Sequence, residues 1–329
     1  MLVLYVVIGL VLVFDFLNGF HDSANSIATV VSTRVLSPFV AVALAAFFNF
    51  IAFTVFPLKV AQTIGKGVVN PDLLNMTVIS GALVAAITWN LLTWWWGLPS
   101  SSSHTLVGGL VGASIAHAGI TSIIIAGLLK IIAFIFIAPI IGMTLSFLIS
   151  SIVVNLFKRY TPQNVDKIFR RLQLVSSSTL SLGHGGNDAQ KSMGIIWAAL
   201  IISGLMSKDA AVPPLWVILS CQTAIALGTM FGGWRIVKTM GQKITKVKPF
   251  EGFCSEISGA ITLFGSTAFG IPVSTTHTIT GAIIGVGARR GASAVRWGVT
   301  KKIFWAWLLT IPVSAIVGGT MYYFFNWVF

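Results

Sequence analysis

Between Ile120 and Ile152 the chain carries one charged residue, Lys130, and runs of roughly 18 to 30 mostly apolar residues recur along its 329 positions. About 20 helical residues cross a hydrocarbon core, so runs of this length dictate membrane helices. Backbone amides in lipid must be satisfied within a helix or a closed barrel, and barrel strands alternate over about ten residues, which these runs do not. The expected fold class is an all-α polytopic membrane protein. Charged residues make up only 9% of the chain and mean hydropathy is +0.91, values that exclude a soluble domain.

The formal charge of +13 does not point to nucleic acid, because the basic residues fall in short segments between apolar runs and form no stripe. They read as topology signals. Cys221 and Cys254 lack metal-ligand spacing and are given no chemistry. The opening MLVLYVVIGLVLVFDF has no basic leader region and is interrupted by Asp15, so it is expected to remain as structure.

The chain repeats itself. NGFHDSANSIAT (Asn18 to Thr29) is echoed by GHGGNDAQKSMG (Gly183 to Gly194), with Asp22 on Asp188, Asn25 on Lys191 and Ser26 on Ser192. LPSSSSHTLVGGLVGA (Leu98 to Ala113) is echoed more closely by IPVSTTHTITGAIIGV (Ile271 to Val286), with Ser102 on Thr275, Ser103 on Thr276, His104 on His277 and Thr105 on Thr278. The offsets are 166 and 173 residues, so both halves carry both motifs in the same order. The expected division is a first repeat over 1–154, a basic linker over 155–173 that packs as an interfacial helix, and a second repeat over 174–329.

Basic residues set the orientation. The loop between Leu58 and Thr77 holds Lys59, Lys66 and Asp72, whereas its counterpart holds Arg235, Lys238, Lys243, Lys246 and Lys248, so the two loops are expected on opposite sides of the membrane and the repeats are inverted. The path threads from outside through Leu2 to Thr33, back through Pro38 to Pro57, into a hairpin from Val78 to Ala116, and inward through Thr121 to Ile152. Leu172 to Met206, Pro213 to Trp234, Gly252 to Ala288 and Ile303 to Phe329 mirror it. Sixteen basic residues then lie inside and three, Lys59, Lys66 and Lys208, outside. Both termini are placed outside the cytoplasm, in a multi-pass cell (inner) membrane protein. Trp94, Trp95 and Trp96 mark an interfacial belt.

The spans holding Asp22 and Asp188 exceed 30 residues, and glycines at 183, 185, 186 and 194 cost about 1 kcal/mol each in a helix interior, so an unwound stretch is expected there at mid-membrane. Inverted repeats, discontinuous helices, re-entrant hairpins and polar groups near the midplane describe a secondary transporter. Asp22 and Asp188 need compensation in the bilayer. Lys191, three residues beyond Asp188, reaches it if the stretch is helical. Asn25, its counterpart, cannot neutralise Asp22. A cation held by oxygen atoms, sodium above all, is one reading; aspartates that cap half-helices, protonated or paired, are the other. The segments after Pro99 and Pro272 open apolar runs as half-helix amino termini, and their free amides and hydroxyls suit a tetrahedral oxyanion. Serine and threonine as caps or interhelical hydrogen bonds are the alternative. His21, His104, His184 and His277 have no tight metal spacing, and His104 and His277 are expected to brace the hairpin turns.

GFHDSANSIATVVSTR and HGGNDAQKSMGI, with the two P-x-S-[ST]-[ST]-H-T segments, resemble the signature sequences of the inorganic phosphate transporter (PiT) family, in particular its bacterial branch. The resemblance covers both halves and implies an ion-coupled phosphate symporter with alternating access, not an enzyme and with no cofactor. Carried over, Asp22, Asn25, Asp188, Ser103 and Thr276 would hold sodium as a co-transported ligand. Ser102, Ser103, Thr105, Thr275, Thr276, Thr278, Gln190 and Asn25 would face phosphate. Lys191 stands where the commoner family wording has asparagine, which opens the question of a fixed ammonium in place of an ion. Proton coupling, phosphate with a divalent metal, an anion channel and an intramembrane hydrolase are the competing functions, and a homodimer in the lipid bilayer is the assembly considered.

Overall fold

Long apolar runs flanked by helix-starting prolines and capped by asparagine, serine and glycine give twelve α-helices in the computed structural model, which describes residues 1–207, 210 and 212–328, and for 63–66 the backbone alone. The basic residues Lys66 and Lys208 and the terminal Phe329 therefore lie outside the described side chains. The helices are α1 (Leu2–Ser32), α2 (Pro38–Ile51), α3 (Lys59–Lys66), α4 (Met76–Trp96), α5 (Ser102–Ala118), α6 (Ile125–Leu156), α7 (Pro162–Ile202), α8 (Leu215–Phe231), α9 (Trp234–Lys238), α10 (Pro249–Ala268), α11 (Thr275–Arg289) and α12 (Trp297–Val328). Among the described residues no strand is formed beyond a bridge between Val69 and Ile123.

Local chemistry fixes the boundaries. Pro38, Pro162 and Pro249 stand at the first position of α2, α7 and α10, where a missing N–H costs nothing. Asn75 caps α4 by accepting from Val78 N at 2.8 Å, and Gly97 ends it with φ of 64°, a left-handed conformation that favours glycine. Ser101 accepts from His104 N at 3.3 Å, and Ser274 accepts from His277 N at 3.2 Å. The two P-x-S segments thus cap the second arms of two helical hairpins, α4/α5 and α10/α11, as the sequence leads one to expect.

The mid-membrane unwinding does not occur. α1 and α7 run unbroken through both aspartate motifs, 31 and 41 residues long. Their glycines serve close approach instead of opening the backbone. A Cβ at Gly19 would sit 2.0 Å from the Ile225 carbonyl oxygen, one at Gly185 2.4 Å from that of Asn49, and one at Gly186 2.1 Å from the Phe56 ring. Backbone contact across these seams offsets the propensity cost, as small residues do between helices in membranes. The 155–173 segment is likewise not a separate helix, since α7 begins at Pro162 and passes through residue 174 without a break. Discontinuity lies elsewhere: at the two hairpin tips, and between α8 and the α9 segment, which bend by 59°. Helix α2 continues as a 3-10 turn over Ala52–Thr54, so the apolar helical run Pro38–Thr54 reaches about 27 Å, close to the roughly 30 Å of a hydrocarbon core.

The order α1 to α6 recurs as α7 to α12, and the contacts come in matching pairs. Gly19 of α1 rests on α8 as Gly185 of α7 rests on α2. Gly108 and Gly112 of α5 lie against Ile311 and Ala315 of α12, while Gly281 and Gly285 of α11 lie against Pro139 and Met143 of α6. Each hairpin therefore packs its second arm on the last helix of the opposite half. The basic segments gather at one end: Arg170 donates to the Arg34 carbonyl at 2.9 Å, Arg290 to the Lys246 carbonyl at 2.6 Å, and Arg289 and Arg290 flank Glu251 at 3.7 and 3.4 Å.

The α5/α12 seam is tight enough to test. A Cβ at Gly112 would lie 1.8 Å from the Ala315 carbonyl oxygen, whereas one at Gly298 meets nothing within 4 Å. Gly112→Ala should lose about 1–3 kcal/mol or more of stability through overpacking. Gly298→Ala should leave the thermal transition in detergent unchanged. Equal melting of the two variants would discount the seam.

Candidate functional site

The site is assembled where α1 and α7 meet the tips of the two hairpins. The helical register of α1 puts Asn18, Asp22 and Asn25 on one face, and that of α7 puts His184, Asp188 and Lys191 on the corresponding face. All six are buried, at 2% exposure or less. One ligand atom from each of Asp22, His184 and Asp188 falls within 4.8 Å of the others, so the two aspartate motifs converge.

Each aspartate accepts from the first hydroxyl of its own half's hairpin. Ser102 Oγ lies 3.1 Å from Asp22 Oδ2 and 2.7 Å from Asn18 Oδ1; Thr275 Oγ1 donates to Asp188 Oδ2 at 3.1 Å. The second hydroxyl of each hairpin crosses to the opposite half. Thr276 Oγ1 donates to Asp22 Oδ1 at 3.3 Å and accepts from Asn25 Nδ2 at 2.9 Å, while Ser103 Oγ accepts from Lys191 Nζ. Lys191 also pairs with Asp188, as helical spacing implies, and donates to the Val273 carbonyl at 3.2 Å. A histidine stands beside each carboxylate: His21 Nδ1 at 2.7 Å from Asp22, His184 Nε2 at 3.1 Å from Asp188. In the first turns of α5 and α11 the His104 and His277 amides are taken by the serine caps, whereas those of Ser102, Ser103, Thr275 and Thr276 have no partner within their helices and lie at this end of each hairpin. Carboxylates, hydroxyls, one ammonium and two positive helix termini can thus serve a cation and an anion side by side.

Of the residues named from sequence, Asp22, Asn25, Asp188, Lys191, Ser102, Ser103, Thr275 and Thr276 are brought together. Gln190, Thr105 and Thr278 are not. Gln190 accepts from Val60 N and Ala61 N at 3.0 and 3.3 Å and donates to the Pro57 and Gly186 carbonyls, so it caps α3. Thr105 and Thr278 turn back on the carbonyls of Ser102 and Ser274, one turn behind the tips. His104 and His277 meet each other with ring centroids 4.8 Å apart, and Trp307 stacks on His277 at 3.9 Å while donating to the Pro99 carbonyl at 3.0 Å. Their expected bracing of the turns is therefore contact between the two tips. Lys59 donates to the Ala268 carbonyl at 3.1 Å and Arg235 to the Trp95 carbonyl at 2.7 Å, each a cation closing the carboxyl end of the opposite half's first arm.

Sequence reasoning missed Asn18, Asn49, Asp15 and Glu256. Asn49 lies 3.2 Å from His184 Nδ1 and donates to Thr229 at 2.8 Å. Asp15 is fully buried in α1, with Asn18, Ser192 and Cys221 beside its carboxyl group. Glu256 of α10 accepts from Thr29 at 2.6 Å, from Gln173 at 2.9 Å and from Ser176, joining α1, α7 and α10. The signal was available, since Glu256 is the one acidic residue between Gly252 and Ala288.

Comparison with known proteins points one way. The model of the phosphate transporter family matches residues 18–164 and 157–318. A probable low-affinity inorganic phosphate transporter of Rhizobium meliloti is 58% identical over 96% of this chain and 94% of its own length. One of Bacillus subtilis is 46% identical over 97% and 96%. A solved structure described as the sodium-dependent phosphate transporter superposes with a TM-score of 0.89 at 27% identity, covering 100% of both chains.

The Glu256 network carries its own test. Glu256→Gln leaves at least one of three donors without its acceptor and should cost about 1–3 kcal/mol; Glu256→Leu orphans all three and should cost more. Thermal melts of the detergent-purified variants check this order, and a Leu variant as stable as wild type would remove the network from the fold.

Proposed function

The chain belongs to the phosphate transporter family, and from that premise we propose that it takes up inorganic phosphate together with a cation, sodium by preference, by alternating access around the cluster of Asp22 and Asp188. The observation that carries the reading is the convergence of two carboxylates on two capped hairpin tips. In this reading a cation binds first beside Asp22, among the oxygens of Asn18, Asn25, Ser102 and Thr276, and lowers the negative potential. Phosphate then accepts hydrogen bonds from Ser102, Ser103, Thr275, Thr276 and the first-turn amides of α5 and α11. Thr105, Thr278 and Gln190 support the tips and α3. Repeats 1–154 and 174–329 are taken as inverted, with the basic end cytoplasmic and both termini outside. The exposed apolar flanks of α6 and α12, among them Ile140 and Ile316, face lipid, and a homodimer would cover part of them.

Sodium is favoured because Asn18, Asn25, Ser102 and Thr276 bring oxygens beside Asp22, and because the similar solved structure is described as sodium-dependent. Proton coupling is the second reading, and the buried Asp15 carboxyl of α1 is the further acidic group it would use. A family of transporters sets the hydrolase aside. Saturable coupled uptake, against single-channel currents, separates the transporter from an anion channel.

Radiolabelled phosphate uptake into proteoliposomes under separate sodium and proton gradients is the decisive measurement. Uptake should rise with an inward sodium gradient, and Asp22→Asn should abolish coupled uptake while the protein elutes as a folded species. Uptake indifferent to sodium but driven by outside acid would pass the coupling to protons. Wild-type transport by Asp22→Asn would overturn the site. Unlabelled arsenate and sulfate as competitors read anion selectivity.

A further inference from the structure

The two halves hold the same position with different chemistry. Asn25 and Lys191 align in the repeat, each three residues beyond its aspartate. Both reach the second hydroxyl of the opposite hairpin, Thr276 for Asn25 and Ser103 for Lys191, and Asn25 donates to the first, Thr275, as well, at 3.1 Å. Each aspartate has a histidine beside it and a hydroxyl from its own hairpin, though the histidines stand at non-equivalent positions: His21 directly precedes Asp22, whereas His184 lies four residues before Asp188, where the first half has Asn18. The difference in fixed charge is the ammonium.

Lys191 Nζ has three donors, and three oxygens receive them: a carboxylate oxygen of Asp188, the Ser103 hydroxyl and the Val273 carbonyl. A carboxylate, a hydroxyl and a backbone carbonyl are the donor set with which proteins cage a monovalent cation. In the first half the corresponding place is held by Asn25, a neutral amide that donates to Thr276 at 2.9 Å and to Thr275 at 3.1 Å. The oxygens there come from Asp22, Ser102, Thr276 and Asn25, and Asn25 Oδ1 is buried without any hydrogen-bond partner. An orphaned buried acceptor beside a buried carboxylate is a place for a cation.

Resting on the symport reading above, we propose that Lys191 is a tethered cation. Its ammonium occupies in the second half the position that a co-transported cation takes beside Asp22 in the first, so this pair of sites moves one cation with each phosphate where two asparagines would require two. The charge on the second half never leaves the protein. It is supplied to the anion without drawing on a gradient.

The test counts ions. Proteoliposomes loaded with wild type, Lys191→Asn or Asn25→Lys take up radiolabelled sodium and phosphate, and the ratio of the two is read. Lys191→Asn should carry one more sodium per phosphate, with a steeper sodium dependence and about a hundredfold loss of uptake at low sodium, the scale set by an uncompensated buried carboxylate. Asn25→Lys should carry one fewer. If Lys191→Asn binds but does not transport, equilibrium binding of radiolabelled sodium to the purified protein replaces the flux ratio and should rise by one. An unchanged count in a folded Lys191→Asn protein overturns the proposal, as does a wild-type ratio in Asn25→Lys should the first variant not fold. Where wild type proves acid-driven, protons are counted in the same way with an internal pH dye. Failure of the symport reading would look different: wild type itself would take up no phosphate under any cation gradient.

Discussion

Carboxylates sealed in a helical bundle bounded by lipid govern this structure. Each must be met by cations or hydrogen-bond donors that the bilayer cannot provide. Asp188 finds an ammonium, a hydroxyl and a histidine; Asp22 finds two hydroxyls and a histidine. No single helix could supply those partners. They come from α1, α7 and the tips of both hairpins, so compensation of the two charges requires four elements to converge. Removing one partner of such a buried pair typically costs about 3–5 kcal/mol, because the other charge remains.

Convergence needs close backbones, and that is the work of glycine here. Gly19 on Ile225 and Gly185 on Asn49 draw α1 and α7 onto α8 and α2, while Gly112 on Ala315 and Gly285 on Met143 seat the hairpins on the opposite half. The halves are therefore interlaced. A rigid separation of residues 1–154 from 174–329 would break the α5/α12 and α6/α11 seams together, so motion around the site has to carry each hairpin with the last helix of the other half. The contacts of Lys59 with Ala268 and Arg235 with Trp95 hold the first arms at their carboxyl ends and are far less costly to exchange than packed backbone.

Much of this was legible in the chain. Helical class, the duplication, the capped hairpin tips, the pairing of Lys191 with Asp188 and the gathering of basic segments at one end all follow from apolar length, motif offset and spacing. The unwound stretch was not borne out, because propensity prices a glycine against water and an isolated helix, whereas Gly185 and Gly186 are priced against Asn49 and Phe56. Gln190 was misplaced for a related reason: an amide beside an aspartate on a helix points about 200° away from it, and on that side lies the start of α3, whose amides it satisfies. Glu256 and Asn49 belong to helices outside the repeated motifs, so no spacing connects them to Asp188 or Thr29. Only the packing does.

What the repeat preserves and what it lets vary then separate by physical cause. Glycines at seams and hydroxyls at tips recur in both halves, because backbone approach and neutral donors are needed twice to build one enclosed site. Charge need not recur. A pseudosymmetric pair of carboxylates asks for two positive charges in total, and nothing in electrostatics requires that both arrive from solution. With Lys191 on one side and Asn25 on the other, the scaffold keeps its symmetry in shape while breaking it in charge, and in the proposed symport that broken term sets how many ions the gradient supplies.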